Sequence, residues 1–87
     1  METLLCEDTR LARADGVMGA LYRDLRRAAP AGKRNAIKQN QRSWLKKRNA
    51  RCPAAKRLSA KARQALADCL LQATVTRARA LYARLRG

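Results

Sequence analysis

The sequence predicts an all-α fold, a compact three-helix domain made of an antiparallel hairpin and a long C-terminal helix, tied by a disulfide. Three observations lead there. Ala and Leu supply most of the apolar residues and are strong helix formers, whereas β-branched residues are scarce and Phe is absent. Apolar residues recur at helical spacing in three stretches separated by Pro or Gly signals. The chain has 87 residues, enough for one domain spanning 1–87. A domain of that size buries only about 60–65% of the surface its unfolded form exposes, so a cross-link is a common supplement to the core.

The first helix is expected from about Glu7 to Ala29. Leu11, Ala14, Met18, Leu21, Tyr22 and Leu25 form its stripe, and Asp8 or Thr9 can cap its start. Gly16 and Gly19 cost helix propensity, about 1 kcal/mol each against Ala. Their spacing suggests either a close approach by a neighbouring helix or simple tolerance. Pro30 and Gly32 stop this helix, and the short turn makes the next helix its antiparallel neighbour.

The second helix is expected from about Lys33 to Arg51, ending where Pro53 biases Cys52 away from helical angles. Its stripe is Ile37, Gln41, Trp44, Leu45, Arg48 and Cys52, which places Gln41 and Arg48 where apolar residues belong. Polar groups are tolerated there only when partnered. Asp15, Gln41, Arg48 and Arg77 lie on or beside the inward stripes and suit a partly buried network, because Arg forks pair well with carboxylates. In that reading Trp44 and Leu45 are the centre of the core. The alternative is that Trp44 and Arg48 reach a ligand. The third helix is expected from Ser59, an N-cap, to about Leu85, with Leu66, Cys69, Leu70, Ala73, Arg77, Ala80, Leu81 and Arg84 as its stripe.

The net charge of +15 is unevenly placed. Residues 1–30 are neutral overall, whereas residues 31–57 hold ten basic groups and no acidic one. The outer face of the second helix, Lys38, Arg42, Lys46, Lys47 and Arg51, is therefore a possible anion-binding face, for nucleic acid or another anionic surface. Aromatic platforms for single strands and a recognition-helix signature are missing, so such binding would be nonspecific and lost with salt. The bland alternative is a solvated set of surface charges.

The chemical inventory excludes most catalysis. No His is present, which removes the commonest general base and metal ligand. Three Cys separated by 45 and 16 residues match no zinc pattern, and no Gly-rich phosphate loop exists. We expect no enzyme, no metal and no cofactor. No stretch approaches the roughly 18–20 apolar residues of a membrane span, and Met1–Cys6 does not read as a signal peptide. The Cys are structural on this reading. Cys52–Cys69 closes a loop of about 18 residues, Cys6–Cys52 joins two ends that the hairpin brings together, and three reduced thiols in a cytoplasmic protein is the third option.

Leu5-Cys6, Leu11, Asp15, Met18, Tyr22 and Leu25, then Gln41-Arg42-x-Trp44-Leu45-x-x-Arg48-x-x-x-Cys52, then Cys69-Leu70 with Arg77 and Leu81, resemble a family of small exported bacterial proteins. It is the family of the N-terminal domain of the lysozyme inhibitor LprI, and the resemblance covers nearly the whole chain. It implies a helical domain in the periplasm or outside the cell, with a protein partner such as lysozyme or another cell-wall hydrolase. It also implies a further Cys upstream of Cys6, and hence a sequence that begins downstream of the natural start. Cys6 would then lack its partner, which favours Cys52–Cys69 as the bridge. Two departures stand out. Thr74 replaces a common aromatic, and the segment between Cys52 and Cys69 is unusually basic. A third role remains open, a helical interaction partner that uses the Gly16/Gly19 face.

Overall fold

The computed structural model describes residues 8–52 and 59–87. They form three helices and no strand: α1 (Thr9–Ala28), α2 (Ala31–Arg51) and α3 (Ala60–Arg86). Cys6, Leu5 and the basic segment after Pro53 lie outside the described residues.

Each boundary has a local cause. Asp8 caps α1, its Oδ1 accepting from the amides of Arg10 at 3.0 Å and Leu11 at 3.1 Å. The Leu11 amide and the Arg10 guanidinium hold the Asp8 carboxyl below its usual value. The cap is therefore intact above the ordinary carboxylate range and is lost as pH falls through the lowered value. Ala29 is extended because Pro30 follows it, and that ends α1. The turn is tighter than the sequence suggests. Pro30 itself occupies the cap of α2, and Gly32 lies in its first turn instead of in the loop. Arg34 closes the corner, its Nε donating to the carbonyls of Arg26 at 3.1 Å and Ala29 at 3.3 Å, which helix α1 leaves without partners at its end. At the other junction, α2 stops at Cys52, before Pro53, and Ser59 Oγ accepts from the Ala62 amide at 3.1 Å to start α3.

The three helices run up, down and up. At one end Leu11 of α1 packs with Cys52 of α2 and with Leu66, Ala67 and Leu70 of α3. At the other end Met18 and Leu25 pack with Ile37 and Leu81. Arg10 adds a bond between the two parallel helices, with Nη2 3.3 Å from Asp68 Oδ1. Cys52 and Cys69 form a disulfide, which excludes the Cys6–Cys52 pairing and ties the end of α2 to α3.

The hairpin exists, but its two arms are not the closest pair. Helix α1 packs mostly against α3, and α2 stands off from both. The reason lies in the side chains that α2 turns inward. Between Ile37 and Cys52 the buried ones are Gln41 and Arg48, long polar groups that span a gap where small apolar groups would close it. On α3 the buried residues are Leu66, Ala67, Leu70, Thr74 and Leu81. Ala80 and Arg84, expected inside, are exposed, whereas Ala67 and Thr74 are buried.

The glycines of α1 mark no close approach. A Cβ on Gly16 would meet nothing within 4 Å, and one on Gly19 would meet only the flexible end of Arg23. Within the domain simple tolerance is the better reading, since no other helix comes within 4 Å of either added Cβ. Gly16→Ala should therefore raise stability by about 0.5–1 kcal/mol. A thermal melt showing lower stability for that variant would contradict the open site.

Candidate functional site

The middle of the bundle is held by polar groups gathered around Trp44. Arg48, one turn after it, is only 9% exposed. Its Nη1 donates to Thr74 Oγ1 at 3.2 Å and lies 3.6 Å from Asp15 Oδ1, so one guanidinium joins all three helices. It also sits 5.1 Å from the centre of the Trp44 ring. Arg77 reaches the same ring from α3, at 5.7 Å. Its Nε donates to Gln41 Oε1 at 3.0 Å and its Nη2 to Asn40 Oδ1 at 2.7 Å. Burial, and then the charge of Arg84, lower the Arg77 pKa. A guanidinium stays protonated at neutral pH all the same. Gln41 uses its other end, Nε2, toward Met18 Sδ at 2.9 Å.

The four residues expected to share a network are thus all in it, split into two halves that meet over Trp44. Two positive charges face one carboxylate, since Asp15 is the only acid among these contacts. Trp44 itself is half-buried, as is Leu45, so neither is the centre of the core. The more deeply buried positions are the polar ones beside them, Gln41 and Arg48. Tyr22 packs against the second apolar cluster with Arg26 5.7 Å from its ring. Asn40, Met18 and Thr74 were not expected as partners in this network. Thr74 was legible, because it continues the spacing of Leu66 and Leu70 onto the inward face.

The five cations of the outer face divide. Lys47 and Arg51, with Trp44 and Arg48, line a cleft of about 680 Å³ between α2 and α3, closed on the far side by Cys69, Gln72, Ala73 and Thr76. Lys38, Arg42 and Lys46 do not line it. Among the described residues none of the five enters an ion pair.

A second, apolar groove of about 460 Å³ runs between α1 and α3. Val17, Leu21, Val75, Ala78 and Tyr82 line it, with Arg13 and Arg79 at its edges, and no residue of α2 contributes. Val17 is 55% and Tyr82 52% exposed, and both line this groove.

No described helix is long and apolar enough to cross a membrane. No curated protein and no solved structure matches the chain. Its match to a known family, by contrast, runs from residue 1 to residue 81 and so takes in all of α1 and α2, the bridge, and the network around Trp44. The chain belongs to the lysozyme inhibitor LprI family.

Proposed function

We propose that this chain is an exported, non-enzymatic binding domain that inhibits a cell-wall hydrolase of the lysozyme type. The family match over residues 1–81 carries the proposal. The Cys52–Cys69 bridge supports export, because such bonds persist in oxidising compartments. The apolar groove between α1 and α3 is the surface best suited to a protein partner, with an aromatic anchor in Tyr82 and Arg at the rim.

The test is lysis of a bacterial suspension followed by turbidity, with the oxidised protein in excess. Lysis should slow. Unchanged lysis at excess protein would remove the inhibitor role. Tyr82→Ala, at an exposed position, should weaken inhibition at least about tenfold with an unchanged melting temperature.

A second reading is favoured by the outer face of α2, whose cations have no acidic partner among the described residues. It is a basic module for nucleic acid or another anionic surface. Salt separates the two. A +15 chain is repelled by a basic lysozyme, so screening should leave inhibition unchanged or strengthen it. Binding to a polyanion should collapse as salt rises.

A further inference from the structure

The cleft beside Trp44 has a chemistry that inhibition of a hydrolase does not use. Lys47, Arg48 and Arg51 converge on it, and no acidic residue is among its lining. Arg48 supplies the sharper observation. Among the described residues its hydrogen bond and its ion pair both run through Nη1, and its Nε, like that of Arg26, is buried without a hydrogen-bond partner, so the protein satisfies only part of this guanidinium. Buried donors are nearly always satisfied, and a guanidinium offers five of them in a planar fork. One carboxylate, Asp15, is 38% exposed and reaches only that one nitrogen. Arg77 adds a second guanidinium on the same Trp44 ring, so positive charge behind the cleft exceeds what the protein neutralises.

We infer that this cleft binds an oxyanion group, the phosphate or carboxylate of a small ligand, with Arg48 at its base and Lys47 and Arg51 at its mouth. The Gln72 side-chain amide, on the opposite wall, is a further donor. Thr76 is not, because its hydroxyl already donates to the Gln72 carbonyl at 2.9 Å. The volume, about 680 Å³, suits a phosphorylated or carboxylated small molecule better than a bare ion. The bridge prepares the site. Cys69 lines the cleft, with Sγ 3.8 Å from the Arg51 carbonyl oxygen, so the covalent tie sets the spacing of the two walls before any ligand arrives. This inference is independent of the inhibitor role.

The chain carries one Trp, and it stands in the cleft wall, so its fluorescence is sensitive to occupancy of this site. Inorganic phosphate and acetate are titrated separately into the oxidised protein, with sodium chloride holding the ionic strength constant. A saturable fluorescence change, confirmed by calorimetry, is expected for at least one of them. Phosphate alone assigns a phosphate ester, and acetate alone a carboxylate. The double variant Lys47→Gln/Arg51→Gln should bind at least about tenfold more weakly, as loss of charge-assisted hydrogen bonds requires. The variant Lys38→Gln/Arg42→Gln, off the cleft, should bind as the parent does. Arg42, Lys47 and Arg51 are exposed and Lys38 is partly buried, and far-UV circular dichroism verifies that both variants are folded. Equal weakening in the two variants would overturn the site in favour of diffuse attraction to polyanions. So would a response to both anions that never saturates and that chloride reproduces.

Discussion

Replacing Cys52 and Cys69 together by Ala should destabilise the domain by about 3 kcal/mol, the chain-entropy value for a loop this short, strain aside. The bridged residues are 17 apart in sequence, and Cys52 is buried among Leu11, Leu66 and Leu70. A domain of this length has a total stability of roughly 4–13 kcal/mol, so the loss is a large fraction of it. The melting temperature should fall by roughly 12–24 °C, since each kcal/mol shifts a domain of this size by about 4–8 °C. Calorimetry of the oxidised protein, the reduced protein and the double variant measures this. A fall of only a few degrees would mean that α2 is held by its other contacts. Those contacts are few. Ile37 anchors one end, and the middle rests on Gln41 and Arg48, whose bonds replace bonds to water and contribute about 1 kcal/mol each.

Leu81→Ala should cost about 2–5 kcal/mol. Leu81 is 0% exposed and packs with Met18, Leu25 and Ile37, so its removal opens a cavity where all three helices meet. Trp44→Ala removes more atoms but should cost less. Trp44 is half-buried at a cleft wall, and water can occupy the space it leaves. Its loss forfeits the ring contacts of Arg48 and Arg77, about 0.5–2 kcal/mol each, and part of its packing on the cluster of Met18, Leu25, Ile37 and Leu81. Denaturant titration of the two variants checks the ranking. If Trp44→Ala proves the more damaging, the ring is part of the core after all.

Helix spacing and turn chemistry made the architecture readable without coordinates. The stripe Leu11, Met18, Leu25 is the buried face of α1, and Asp8 and Ser59 cap as their residue types demand. The Asp15, Gln41, Arg48 and Arg77 network could be named because a polar residue on an inward face must find a partner. Its wiring was another matter. Whether Arg48 would meet Asp15 or Gln41 depends on the relative rotation of helices, which one-dimensional spacing does not encode. The same limit explains Trp44. Residues at i and i+4 share a face, but that face is wide enough for Arg48 to be covered while Trp44 stays at its edge. The preference of α1 for α3 over its sequence neighbour was hidden for a related reason. Loop length dictates which helices are adjacent, and side-chain size dictates how closely they approach.

The bridge has one more consequence, which follows from covalent connectivity alone. Lys56 and Arg57 fall between Cys52 and Cys69 in the sequence, and both are residues after which common proteases cut. Hydrolysis of the backbone there adds one water to the mass but does not release a fragment. The two pieces, one with α1 and α2 and the other with α3, remain one molecule until a reductant separates them. Under the proposed export to an oxidising compartment, a nick at that point would not separate the two pieces.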